Sequence, residues 1–173
     1  MLTMVEYVHQ RILSYSSRHV AVDMTMGNGY DTAFLMTCFD EVYAFDIQEK
    51  ALENTKKRIG EVKNVHLILD GHENIDCYLT CFDIGVFNLG YLPLEDHMIT
   101  TLLPTTKIAI EKAMSMFKKA LFLVVYPGHQ EGYEESRWID EYVSSLDTHM
   151  YNVSSYRMLN KNKSPYVIEI ERR

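Results

Sequence analysis

The sequence has 173 residues, 47% hydrophobic and 12% aromatic, a composition that describes a folded globular chain and excludes a disordered one. That length suits one α/β domain with a full core, so residues 1–173 are expected to form a single domain. A net charge of −7 argues against gripping nucleic acid through broad electrostatics, and no apolar run approaches the roughly 18 residues that span a bilayer. The stretch from Met1 to Val8 lacks the basic start and apolar core of a signal peptide, so a cytoplasmic location without membrane contact is expected.

Apolar residues at Val5, Val8, Ile12 and Tyr15 predict an N-terminal helix over residues 4–16. A strand over His19 to Thr25 runs into Gly27-Asn28-Gly29, and a helix follows near Thr32 to Cys38. Strand, glycine turn and helix start is the arrangement used when backbone must approach a bound cofactor closely. Glu41 to Asp46 alternates and ends in an acid, which predicts a second strand. The Lys- and Glu-rich helix from Gln48 to Ile59 then stops at Gly60.

Val65 to Asp70 predicts a third strand ending in an acid, with Gly71-His72-Glu73 next and a short helix near Asn74 to Leu79. Phe82 to Asn88 is a fourth strand, breaking at Leu89-Gly90-Tyr91-Leu92-Pro93. Thr105 to Lys118 reads as an amphipathic helix with Ile108, Ala109, Ala113, Met116 and Phe117 near one face. The continuous apolar run from Ala120 to Tyr126 marks a central strand buried on both faces. It ends at Pro127-Gly128-His129, before a helix from Glu134 to Leu146. Tyr151 to Leu159 and Tyr166 to Glu171 alternate around a polar loop, the pattern of an antiparallel hairpin.

Strand–helix alternation followed by a hairpin implies an α/β, Rossmann-like, doubly wound and mostly parallel sheet of seven strands. Ligands in such sheets bind at the carboxyl ends of the strands. Asp23, Asp46, Asp70, Asn88 and Tyr126 all fall at or beside those ends, which gathers polar groups on one rim. Cys38, Cys77 and Cys81 are an odd number of cysteines, expected as reduced thiols. Cys77, Cys81 and His72 lie near one another in sequence. No CxxC pair or fourth ligand accompanies them, so no metal is expected.

Asp23-x-Thr-x-Gly-Asn-Gly29, Phe45-Asp-Ile-Gln48, Gly71-His-Glu73, Phe87-Asn-Leu-Gly-Tyr-Leu-Pro93 and Tyr126-Pro-Gly-His-Gln-Glu-Gly132, taken with the terminal hairpin, resemble the class I S-adenosylmethionine-dependent methyltransferases. Within that class they resemble the MnmM/YtqB-like family, once labelled rRNA methylases, whose members methylate the amine of 5-aminomethyl-2-thiouridine at the tRNA wobble position. The resemblance runs from about residue 19 to the C-terminus.

The resemblance implies S-adenosylmethionine as cofactor, held by Met26, Gly27, Asn28, Gly29 and Asp31 around its methionine part. Asp46 would take the ribose hydroxyls with Gln48 alongside, and Asp70, Gly71 or His72 would meet the adenine edge. The plainer alternatives are a cap of the following helix for Asp31 and an ordinary loop histidine for His72. Asn88-Leu89-Gly90-Tyr91 stands where methyltransferases acting on exocyclic amines carry Asn-Pro-Pro-Tyr; Leu89-Gly90 departs from the two prolines. There the carbonyls of Asn88 and Leu89 would accept hydrogen bonds from the amine, Tyr91 would stack on the base, and His129 is the candidate to receive the amine's proton. Pro93, Tyr126, Gly128 and Arg157 complete the implied substrate contacts. The implied partner is the tRNA anticodon stem-loop, with Lys161, Lys163 and the terminal arginines near phosphates and a homodimer offsetting the acidic charge.

An rRNA or small-molecule N-methyltransferase and a non-catalytic S-adenosylmethionine-binding module are the alternatives. A NAD-dependent dehydrogenase is disfavoured by the absent third glycine and by the hairpin. Calorimetry separates these cofactors: S-adenosylhomocysteine is expected to give a saturable isotherm and NAD none.

Overall fold

The computed structural model describes residues 2–90, 103–161 and 163–173. Tyr91 and Pro93, two of the expected substrate contacts, lie outside them. The elements in chain order are α1 (Met4–Leu13), β1 (Val20–Asp23), α2 (Tyr30–Leu35), β2 (Glu41–Asp46), α3 (Glu49–Ile59), β3 (Val65–Leu69), a 3-10 helix (His72–Cys77), β4 (Phe82–Leu89), α4 (Leu103–Met116), β5 (Phe117–Val125), α5 (Gln130–Ser144), β6 (Tyr151–Tyr156) and β7 (Tyr166–Arg172). One seven-stranded sheet has the order β3-β2-β1-β4-β5-β7-β6. β1 to β5 pair in parallel and β7 runs antiparallel between β5 and β6, as the alternation and the hairpin required. Strand order reverses direction between β1 and β4, and in open α/β sheets ligands bind outside the carboxyl ends of the strands at such a switch point.

Most element boundaries fall within a few residues of the expected ones, and two differences have clear causes. β5 starts at Phe117, where a helix was expected to continue. Between Phe82↔Phe117 and Ile84↔Ala120 the strand gains one residue over its partner, a bulge that carries the exposed Lys118 and Lys119. The two lysines mask the strand in a hydropathy reading. On α4, Ile108 is exposed, and the buried stripe is Thr106, Ala109, Ile110, Ala113 and Met114. Thr106 joins the apolar side because its hydroxyl donates to Glu135 at 2.7 Å inside the core.

The sheet is covered on both faces. Val22, Phe45, Phe87, Leu121 and Leu123 pack with α4 and α5 residues such as Ile110 and Ile139, while Ala21, Val42, Ile84 and Phe122 pack with Val8 and Ile12 of α1 and Leu35 of α2. α1 starts in a capping box formed by Thr3 and Glu6. It is tied down by Arg11, which donates from Nε and Nη2 to the two carboxylate oxygens of buried Glu169 on β7, both at 2.8 Å. Tyr15 adds its hydroxyl to the same carboxylate at 2.6 Å, and burial together with Glu169 pushes the Tyr15 phenol up. Tyr7 stacks on Tyr156 of β6 at 4.2 Å between ring centroids. Among the described residues, no helix is long and apolar enough to cross a membrane.

The Glu169 carboxylate is buried while the Arg11 side chain is 40% exposed, so the pair lies between the surface and interior limits. Arg11→Met is therefore expected to cost about 2 kcal/mol, since it removes charge-assisted hydrogen bonds from a buried acceptor. Urea denaturation measures the loss, and a variant within ~0.5 kcal/mol of wild type would show that α1 is held by its apolar face alone.

Candidate active site

β1 ends in Asp23, which is fully buried; its carboxylate accepts from Thr32 Oγ1 at 2.6 Å and from the Thr25 N–H at 3.2 Å. Burial, and after it the nearby charge of Asp31, pushes the Asp23 carboxyl well above the ordinary carboxylate range. These bonds fasten the turn at both ends, to the strand and to α2. Gly29, in the left-handed region at φ 76°, caps α2, and a Cβ there would lie 2.6 Å from Thr55 Oγ1. The turn thus needs glycine for its backbone and for the approach of α3.

Asp46 closes β2 and accepts from the Gly27 N–H at 2.9 Å and the Gln48 N–H at 3.0 Å, one bond to each oxygen. Its plane is fixed while each oxygen retains acceptor capacity, which suits a pair of vicinal hydroxyls. Ile47 follows with 65% of its surface exposed, an apolar face on a polar rim that fits a planar heterocycle. The sequence reading missed Ile47; its only signal was its place directly after the strand-ending acid. These features fit a nucleoside.

Asn88, near the end of β4, is held twice. Its backbone N–H donates to Thr25 Oγ1 at 2.7 Å, and its Nδ2 donates to Asp31 Oδ2 at 3.3 Å. Asp31 is itself buried, and its other oxygen lies 2.7 Å from His9 Nε2 on α1. An ionised carboxylate only accepts, so the Asn88 amide must turn its NH2 edge to Asp31 and its Oδ1 away. His9 escaped the sequence reading because it precedes Asp31 by a helix and a strand.

Beside Asn88, Leu89 is buried and Gly90 lies against the Tyr126 ring, where a Cβ would be 3.2 Å from Tyr126 Cδ2. Burial, followed by the Asp31 charge, raises the Tyr126 phenol. Gly27, Asp31, Asp46, Gln48, Asn88 and Tyr126 therefore gather on one rim, above the switch between β1 and β4.

Other candidates are placed differently. Met26 is buried, its N–H bonded to the Phe45 carbonyl. Asn28 turns its side-chain oxygen to Asn54 at 2.9 Å, and its carbonyl accepts from Arg58 Nε at 2.7 Å, so both hold the turn to α3. Asp70 precedes the 3-10 helix and is tied to it through side chains, accepting from Asn74 Nδ2 and the Tyr78 hydroxyl as well as from the Gly71 N–H; the Asn74 bond above all lowers its carboxyl. His72 is no loop histidine: it is buried and its Nδ1–H donates to the Met24 carbonyl at 3.0 Å.

His129 is the N-cap of α5, its Nδ1 accepting from the Gly132 N–H at 3.0 Å. With Nδ1 as acceptor, the neutral ring carries its proton on Nε2 and has no lone pair there for a substrate proton. The structure thus uses His129 to start a helix. Gly128 is exposed beside the Lys163 carbonyl. Arg157 bonds Asp140 and lies 3.8 Å over the Tyr166 ring, so its charge is already paired. Among the described residues, no three His, Cys, Asp or Glu side chains converge as metal ligands would.

The family described as "Putative rRNA methylase" matches residues 42–171. The chain belongs to this rRNA methylase family. It is a class I methyltransferase in fold and in family. A solved structure from Clostridium thermocellum bearing the same description is 35% identical, with a TM-score of 0.94 over 100% of this chain and 99% of that one. A methyltransferase of Streptococcus mutans, solved with S-adenosylhomocysteine, is also 35% identical, with a TM-score of 0.91 over the same shares of the two chains. A chloroplastic tRNA (mnm5s2U34)-methyltransferase of Arabidopsis thaliana is 31% identical over 85% of this chain. This chain spans 61% of that relative's length.

His72 carries a consequence for stability. Burial lowers its pKa below the ordinary 6.5, so the unfolded chain binds more protons than the folded one as pH falls from about 6.5. The contribution of neutral His72 is complete above that value and is lost as pH drops through the lowered pKa. His72→Asn keeps a donor toward Met24 without titrating. Urea midpoints at about pH 7 and pH 5.5 are expected to differ less in this variant than in wild type.

Proposed function

We propose that the protein transfers a methyl group to the primary amine of 5-aminomethyl-2-thiouridine at the wobble position of the tRNA anticodon, giving 5-methylaminomethyl-2-thiouridine. The observation that carries this reading is Asn88, whose amide is pinned with its carbonyl edge turned away from Asp31. S-adenosylmethionine is the methyl donor, and it supplies a methyl already activated on a sulfonium. Asp46 holds the ribose hydroxyls, Ile47 covers the adenine, and the turn from Gly27 to Gly29 meets the methionine part, with Gln48 alongside. Support for this donor comes from the fit of that rim and from the Streptococcus mutans relative solved with S-adenosylhomocysteine.

With an activated methyl, catalysis becomes largely positioning. Asn88 Oδ1 and the Leu89 carbonyl accept the amine's hydrogens and aim its lone pair, while Gly90 and Tyr126 wall the acceptor side. An aliphatic amine with a lysine-like pKa near 10 costs roughly 4 kcal/mol to keep neutral at pH 7. The substrate ammonium gives its proton to solvent before transfer, and exclusion of water beside the buried Leu89 and half-buried Tyr126 then favours the neutral amine. The wobble base lies in a single-stranded loop, from which a base can be splayed out for recognition. The name of the Arabidopsis thaliana relative favours tRNA, while the family's description favours rRNA as the second reading.

Nucleoside mass spectrometry of tRNA and rRNA from cells lacking the protein tests both. Unmethylated 5-aminomethyl-2-thiouridine is expected to accumulate in tRNA with rRNA unchanged. A methylated nucleoside missing from rRNA would move the substrate there.

A further inference from the structure

We propose that His9 is a positioning residue for the amine acceptor, acting from α1 through Asp31 to fix which edge of the Asn88 amide faces the substrate. The inference rests on the proposed N-methylation.

A side-chain amide has two edges of nearly equal shape and opposite hydrogen-bonding character. Rotated by half a turn, Asn88 would present N–H donors to an amine whose own hydrogens need acceptors. Thr25 fixes the Asn88 backbone, and it cannot choose between these rotamers. Asp31 can, because a carboxylate accepts only, and its 3.3 Å bond from Nδ2 selects the rotamer with Oδ1 outward.

Asp31 needs fixing in turn. It sits in a short helix near the buried Asp23 carboxyl, and its burial leaves little water to orient it. His9 supplies that anchor, with Nε2 2.7 Å from Oδ1 and the opposite oxygen left for Asn88. The imidazole lies flat on Phe34, 3.8 Å between centroids and 8° between planes, so its donor direction is set by packing. The helix behind it is clamped on either side of His9, by Tyr7 on Tyr156 and by Arg11 on Glu169. A donor held in this way costs no reorganisation when substrate arrives.

Two substitutions separate the hydrogen bond from the packing. His9→Phe keeps the stack on Phe34 and removes the donor, whereas His9→Gln restores an N–H near the position of Nε2. His9→Phe is expected to lower kcat about tenfold, the factor that corresponds to ~1.4 kcal/mol in the barrier. Its Kd for S-adenosylhomocysteine should stay within about twofold of wild type, and His9→Gln should recover most of the turnover.

The second readout needs no RNA. The Asn88 side-chain amide pair in a 15N–1H spectrum, assigned by its loss in Asn88→Ser, should shift in His9→Phe and return in His9→Gln. In the wild-type protein, the His9 ring nitrogen spectrum should show a proton on Nε2. A His9→Phe enzyme with wild-type kcat, an Asn88 pair unmoved by the substitution, or a wild-type ring protonated on Nδ1 alone would each overturn the proposal. Wild-type protein that methylates no aminomethyl-bearing tRNA would refute the substrate reading, and the spectra would still decide the role of His9.

Discussion

Three carboxylates, Asp23, Asp31 and Asp46, crowd around one short glycine turn, and the rest of the site depends on how their charges are met. Each faces fixed donors. Asp23 takes Thr25 and Thr32, Asp31 takes His9 and Asn88, and Asp46 takes the N–H groups of Gly27 and Gln48. Burial and the charge of Asp31 push the Asp23 carboxyl toward its neutral form, which relieves repulsion between the two most buried members. The outcome is a turn braced by its own acids.

That brace lies where the sheet's order reverses. β1 and β4 are neighbours, so the turn leaving β1 meets Asn88 near the end of β4 through Thr25, with β2 supplying Asp46 and β5 leading to Tyr126. In the proposed reaction the donor's nucleoside and the acceptor's amine would take separate walls of that rim. No lone pair is held ready for a proton at His129, whose ring begins α5. The chemistry the rim supports is orientation, which suits transfer of an activated methyl.

The N-terminal helix is more than a cover for the sheet. Arg11 and Tyr15 anchor it to a carboxylate buried on β7, while His9, on the same helix, reaches the carboxylate that orients Asn88. Packing energy on one side of the sheet is thus linked to the geometry of the site at its rim. This coupling makes α1 part of the site.

Much of the arrangement was legible in the residues themselves. β2 occupies Glu41–Asp46 as its alternation predicts, and α3 stops before Gly60, because strand period and helix termination are local properties. The glycine turn, Asp46 at a strand end, Asn88 near another and the closing hairpin likewise follow from short-range pattern. What tertiary structure decided is pairing. His9 meets Asp31 from 22 positions away, Arg157 is taken by Asp140, Asn28 turns to Asn54, and Thr106 enters the core because Glu135 waits there for its hydroxyl. In each case a polar side chain has several possible partners in the sequence, and only the packed sheet brings one within hydrogen-bonding distance.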